Sequence, residues 1–239
     1  MPAYNAAKTV KDTFYETPSN LRKNIILVDD NSQDNTVTVA KGLGVKVFTH
    51  PDNLGYGGNQ KTCYQEALKE NPNVVVMLHP DYQYDAKLIP ELVQPILDNR
   101  YDFMFGSRIT SRKTALEGGM PKVKYYVNRI VCLIQNILLG TNFTEYFSGF
   151  RAYSGKLLKT VPFQRFSNDF VFDQQMTISS LSYGFRIGEI SIPTRYHTKA
   201  SSIGFLKGVK FIWEGFIITS FYILHKLNLV NSNLFNSIN

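Results

Sequence analysis

Two acidic clusters carry the first chemical signal in this sequence. Residues 29–32 (DDNS) directly follow the apolar run 24–28 (NIILV), and residues 79–85 (HPDYQYD) directly follow another, 74–78 (VVVML). Each has an ordinary explanation: Asp30 or Ser32 can cap a helix, and Pro and Asp favour turns. Repeated at successive strand ends, the same residue types can hold a hard cation and a ribose, as a nucleoside-diphosphate site requires. A third cluster opens at Gly106-Ser107-Arg108 and continues through Arg112, Lys113, Lys122, Lys124 and Arg129, with Glu117 as the one acid between them. It reads either as a solvated basic loop or as a phosphate clamp, because Arg pairs bidentately with phosphate oxygens.

Further along, Glu145 and Arg151 flank a Ser148-Gly149 turn. Asp173 lies in 170–176 (FVFDQQM), and Arg195, His197 and Lys199 lie in 192–202 (IPTRYHTKASS). Other chemistries fare worse. The four histidines, at 50, 79, 197 and 225, lack the spacing of zinc ligands. No G-x-S-x-G elbow supports a serine hydrolase, and no zinc-finger or RNP signature supports nucleic-acid binding. Residues 53–60 (NLGYGGNQ) resemble a dinucleotide glycine fingerprint, but Gln60 stands where the third glycine belongs. The run remains suited to a loop whose backbone approaches a ligand.

The elements that must position these groups alternate along the chain. Strands are expected at 24–28, 45–48, 74–78 and 102–105, and helices at 32–42, 58–70 and 86–99, with Ser32 capping the first helix and Gly42 ending it. That rhythm predicts an α/β fold with a mostly parallel sheet flanked by helices, and ligands at the carboxyl ends of the strands. Beyond Phe105, residues 110–121 read as a mobile loop, 122–139 as an amphipathic helix, and 205–229 as a tail helix. The tail helix either docks on the core through Phe205, Val209, Ile212 and Phe216, or lies in a membrane interface through Phe211, Trp213, Phe216, Ile217, Phe221 and Tyr222, with Lys207 and Lys210 nearby. At the other end, residues 1–5 (MPAYN) look like a strand-to-helix turn whose strand is missing.

Composition sets the bounds. The chain has 239 residues, is 44% hydrophobic, and carries 26 Lys+Arg against 19 Asp+Glu, a net charge of +7. This is a folded, basic chain, and an anionic partner is expected. Two cysteines cannot make a disulfide framework. No secretory leader pattern is visible, and the apolar run 215–224 is too short to span a bilayer.

Taken in order, these motifs resemble the family-2 glycosyltransferases of the GT-A fold, and most closely the branch of dolichol- and polyprenyl-phosphate sugar synthases. The motifs are 2–5 (PAYN), 28–34 (VDDNSQD), 53–61 (NLGYGGNQK), 79–85, 106–108, 148–154, 170–176 and 192–203, so most of the chain is covered. The resemblance implies a GT-A catalytic domain over 1–204, short of its first strand, and an amphipathic helix and tail over 205–239. It implies an inverting transfer of a sugar from a UDP- or GDP-sugar, with Mg²⁺ or Mn²⁺, to an acceptor that in this branch is a polyprenyl phosphate, within cell-envelope glycan or glycolipid synthesis. Nucleic acid is not an implied partner. A peripheral place at the cytoplasmic face of the membrane is.

Roles follow residue by residue from the same likeness. Pro2, Ala3 and Tyr4 would cradle the base, and Asp30, or else Asp29, would hold the base or ribose. Asp81 matches the second acid of the metal motif and His79 replaces the first. Gln83 falls near the sugar. Arg108 would contact a phosphate, joined by Lys124, Asn128 and Arg129 around the acceptor phosphate. Arg151 and Arg195 match basic positions near the diphosphate. Asp173 or Glu145 would serve a hydroxyl acceptor as general base, whereas a phosphate acceptor, already ionised, needs none. The competing reading keeps the fold and loses the chemistry: a nucleotide-sugar-binding protein impaired by His79 and the missing strand.

Overall fold

The computed structural model describes residues 1–193 and 204–235. In chain order the elements are β1 (Pro2–Ala3), α1 (Val10–Glu16), β2 (Ile26–Asp29), α2 (Thr36–Gly42), β3 (Lys46–Thr49), α3 (Tyr56–Leu68), β4 (Val74–Met77), α4 (Ile89–Leu97), β5 (Phe103–Ser107), α5 (Arg112–Glu117), α6 (Lys122–Leu139), β6 (Arg151–Ser154), α7 (Gly155–Thr160), α8 (Phe172–Ser182), β7 (Ile187–Ser191) and α9 (Phe205–Lys226). The expected strands and helices are present within a few residues. The strands are short, and from β1 to β5 each is followed by a helix or turn that returns the chain to the same end.

The sheet departs from the expected continuous parallel array. It is split into β1-β2-β3, all parallel, and β4-β6-β5-β7. In the second sheet β6 runs antiparallel to both β4 and β5, while β5 and β7 are parallel. The split follows from the length of β1. Its two residues pair with Val28 and Asp29 and reach no further. The strand expected to be missing is thus represented by a stub. The Met1 ammonium extends it by donating to the Ile26 carbonyl at 2.7 Å.

Two local readings change. Ser32 does not cap α2: its N–H and hydroxyl both donate back to Asp29, and α2 starts at Thr36, whose N–H is held by Asp34. Part of the loop expected at 110–121 is the short helix α5.

The main core gathers buried aromatics from α3, β5, β6 and α8, with Tyr64, Phe103, Tyr153 and Phe172 all fully enclosed. The tail helix α9 matches neither reading residue for residue: Val209, expected in the core, is exposed, and Phe211, expected at an interface, is buried. Phe211 and Ile218 are buried with Val171 and Ile178 of the α8 segment, while Trp213, Ile217 and Phe221 are exposed. No described helix is long and apolar enough to cross a membrane.

Candidate active site

The first wall of the site is where β1 and β2 end. Tyr4 is exposed beside buried Asp29 and Asp30. The two acids are used differently. Asp30 is sunk into the loop before α3: its carboxylate accepts from the N–H groups of Leu54 at 2.8 Å and Gly55 at 3.0 Å, and meets His50 Nδ1 at 2.8 Å. Its own N–H donates to the Ala3 carbonyl. Asp30 therefore builds the glycine loop. Among the described residues the Asp29 carboxylate accepts from Ser32 alone, so it keeps acceptor capacity.

Behind this wall a buried network joins α3 to α8. The Tyr56 hydroxyl donates to Asp173 at 2.7 Å and lies 3.2 Å from His79 Nε2, with the two rings stacked. Burial, and then the Asp173 carboxylate, push the Tyr56 phenol well above its ordinary pKa, so it keeps its proton. That single proton points at Asp173, so His79 must donate from Nε2, which leaves the Nδ1 lone pair as its acceptor. Burial lowers the His79 pKa against the pull of Asp81 and Asp173, which keeps the ring neutral near pH 7.

Asp173 also accepts from Gln60 at 3.2 Å and sits 3.9 Å from Arg151. Arg151 is itself 2% exposed, and it donates to the carbonyls of Tyr146, Ser148 and Asp173 and to the Thr177 hydroxyl. The guanidinium expected at the diphosphate is thus committed inside the protein.

The opposite wall is a buried ion pair. Arg108, at the end of β5, gives its backbone N–H and its guanidinium to Glu145, and a further N–H to the Phe147 carbonyl at 3.2 Å. Glu145 is fully enclosed, so both its oxygens are taken up in holding Arg108. Lys124 lies beside this pair: burial first, then the Arg108 charge, lower its pKa. One turn further along α6, Asn128 is buried and its Nδ2 has no partner among the described residues. Arg129 is exposed and reaches the Thr144 carbonyl only at 3.5 Å.

Between the walls stands the turn after β4. Thr9 donates to the Pro80 carbonyl at 2.6 Å, tying the turn to α1. Asp81 accepts from the Gln83 N–H at 3.0 Å and is only half-buried. The Tyr84 hydroxyl accepts the Gly149 N–H at 3.0 Å, and burial raises its pKa against the pull of the Arg108 charge. The described residues contain no cluster of three His, Cys, Asp or Glu side chains able to hold a metal alone. A single carboxylate suits Mg²⁺ or Mn²⁺ nonetheless, because such ions are commonly held by one or two carboxylates together with substrate phosphates. Arg195 lies outside the described residues.

A family model described as glycosyl transferase family 2 matches residues 1–161. The chain belongs to glycosyl transferase family 2. This glycosyltransferase is 31% identical, over 95% of its length and 88% of the relative's, to an uncharacterised protein of Methanocaldococcus jannaschii. It is 29% identical to the UDP-N-acetylglucosamine–dolichyl-phosphate N-acetylglucosaminyltransferase of Methanococcus voltae, over 82% and 84% of the two chains. Its fold is similar to glucosyl-3-phosphoglycerate synthase of Mycobacterium tuberculosis, with a TM-score of 0.69 at 19% identity over 97% of this chain and 79% of that one. That synthase has also been crystallised with Mn²⁺ and UDP-glucose.

Sequence reasoning missed Tyr56, Gln60 and His50 as working parts of the glycosyltransferase. The signal was present in the glycines. A Cβ at Gly57 would lie 2.4 Å from the Ser167 carbonyl, and one at Gly149 would lie 2.7 Å from His79 Nε2. The run 55–58 thus brings α3 against the segment leading into α8, and this places Tyr56 and Gln60 at Asp173. Tyr56→Phe is expected to leave Asp173 Oδ2 without its donor and to destabilise the fold by about 1–3 kcal/mol. Urea denaturation would measure this, and an unchanged midpoint would contradict the network.

Proposed function

We propose that this glycosyltransferase moves a sugar from a UDP- or GDP-linked donor to a polyprenyl phosphate, with inversion at the anomeric carbon. The observation that carries the reading is the fate of its two candidate bases. Glu145 is consumed by Arg108, and Asp173 is buried under Tyr56, Gln60 and Arg151. Neither is placed to take a proton from an acceptor hydroxyl. An acceptor phosphate is already anionic at neutral pH and needs no base. The buried Nδ2 of Asn128, beside Lys124 and Arg108, supports an anionic group at that wall.

In this reading Tyr4 and Asp29 hold the nucleoside, and Gln83 lies toward the sugar. Asp81 is the residue that would hold Mg²⁺ or Mn²⁺, with His79 Nδ1 beside it. When bound, the ion supplies positive charge to the departing diphosphate. Arg108 and Lys124 orient the acceptor phosphate toward the anomeric carbon, and Glu145 fixes the guanidinium in that pose. Arg151 serves as the internal counter-charge of Asp173, and Asp173 orients His79 through Tyr56.

The apolar exposure of α6 supports a lipid acceptor. Val123, Ile130, Leu133 and Ile137 lie outward on α6, and Leu206 and Trp213 lie outward on α9. Lys122, Arg129 and Lys207 are also exposed, a pattern that suits a peripheral place on the anionic cytoplasmic face of a membrane.

The test is transfer from a panel of UDP- and GDP-sugars, UDP-N-acetylglucosamine first, with Mn²⁺ and anionic vesicles carrying polyprenyl phosphate. The expected product is a lipid-linked sugar phosphate. Transfer to a neutral hydroxyl acceptor in preference to the lipid phosphate would overturn the reading. Nucleotide binding without transfer would favour the impaired, binding-only alternative that His79 suggests.

A further inference from the structure

Next to the Arg108–Glu145 pair lies Glu189, in the middle of β7 and opposite Phe105 of β5. Its half-buried carboxylate accepts the Thr144 N–H, at 3.1 and 3.0 Å from its two oxygens, and the Thr144 hydroxyl at 3.0 Å. The Glu145 N–H also donates toward it. A hydroxyl has one proton. That of Thr144 goes to Glu189, so the 2.6 Å bond between the Ser107 and Thr144 hydroxyls is donated by Ser107. Ser107 precedes Arg108, and Thr144 precedes Glu145. Both halves of the ion pair are therefore anchored, one residue back, to a single carboxylate.

The surrounding elements have supports of their own. β7 is held on β5 by ladder pairs from Ile187 to Ser191, and the Ile192 N–H donates to the Ser107 carbonyl at 2.9 Å. Phe143 is pinned by Asn136 at its N–H and at its carbonyl, at 3.0 and 2.8 Å. Tyr146 is buried. Between these fixed points Glu189 holds residues 144 and 145. A carboxylate suits the place because it offers acceptors only, whereas an amide would turn a donor toward the same N–H groups.

We propose that Glu189 is a positioning residue for the acceptor wall. It fixes the backbone at Thr144 and Glu145, and so the direction in which Glu145 presents the Arg108 guanidinium to an anionic acceptor. The inference rests on the reading of Arg108 as the contact for an acceptor phosphate.

The experiment compares the full chain with Glu189→Ala and Glu189→Gln, each checked by a thermal melt. The first readout is hydrogen exchange at the Arg108 Nε–H, followed by NMR without ligand. The second is the KM for polyprenyl phosphate beside the Kd for UDP with Mn²⁺. Glu189→Ala is expected to speed exchange at Arg108 Nε at least about tenfold. It should also raise the acceptor KM at least about tenfold and leave UDP affinity unchanged. Glu189→Gln keeps one acceptor oxygen and should fall between; if Glu189→Ala does not fold, Glu189→Gln decides on the same readings. Added to the paired variant Arg108→Met, Glu145→Gln, Glu189→Ala should raise the acceptor KM no further, because the group it positions is gone. A further rise there would overturn the proposal. So would unchanged exchange at Arg108, or an equal loss of UDP and acceptor affinity. A wild-type chain that does not use lipid phosphate would sink the acceptor reading, and exchange at Arg108 would still decide the positioning role.

Discussion

Asp81→Asn is expected to abolish metal-dependent donor binding and to cut turnover by on the order of 10³-fold. The substitution keeps the size of the side chain and its acceptor for the Gln83 N–H at 3.0 Å, so the turn after β4 should survive. What it removes is a negative charge on a half-buried strand-end position, beside a neutral His79 that cannot replace it. Calorimetric titration of UDP with and without Mn²⁺ reads the effect directly. The wild-type chain should bind UDP more tightly with the metal, and the variant should bind equally with or without it. A thermal melt on the same preparation checks that the fold is intact. Unchanged turnover would show that another group holds the ion.

The second large effect concerns Arg108 and Glu145. Removing one partner of a buried ion pair strands the other charge, which typically costs about 3–5 kcal/mol. Glu145→Gln and Arg108→Ala should therefore both be severely destabilised, because Glu145 is fully enclosed and Arg108 is 7% exposed. The paired variant Arg108→Met, Glu145→Gln strands no charge and should recover much of the loss. It separates the two roles of Arg108: the double variant is expected to fold and to bind the donor, yet to transfer to lipid phosphate at least about 10²-fold more slowly. If the double variant transferred normally, the pair would be structural only.

The sequence made the alternation of strands and helices legible because each β-α step has a local signature. The runs at 24–28 and 74–78 and the helix at 122–139 needed no long-range information. The split of the sheet was not legible in detail. Whether two residues suffice to hold the β1 slot depends on Met1 bonding to Ile26, and that is a tertiary fact. The antiparallel β6 also escaped, since four residues within 144–154 carry no direction. At the site, motifs marked which residues matter but not what they touch. Asp30 read as ligand-facing because it is an acid after a strand, and Arg151 and Glu145 because the family resemblance implied it for the charges flanking the Ser148-Gly149 turn. Burial turned each inward: Asp30 onto the loop before α3, Glu145 onto Arg108, and Arg151 onto three carbonyls. Tyr56 stayed invisible because the glycine-rich run read as loop up to residue 57, whereas α3 already opens at Tyr56, and Gln60, inside the expected helix, carried no sign that it faces Asp173.

Arg151 also bears on what ligand binding must organise. Its guanidinium grips the carbonyls of Tyr146 and Ser148, five and three residues earlier in the chain, so the Ser148-Gly149 turn is wrapped around a side chain of its own segment. A planar fork with several fixed donors can do this, whereas an ammonium on a flexible stem cannot. The turn that packs against His79 and Tyr84 is therefore ordered when the chain folds, not when the donor arrives. Its conformational entropy is lost during folding, and nucleotide-sugar affinity is not reduced by having to restrain it.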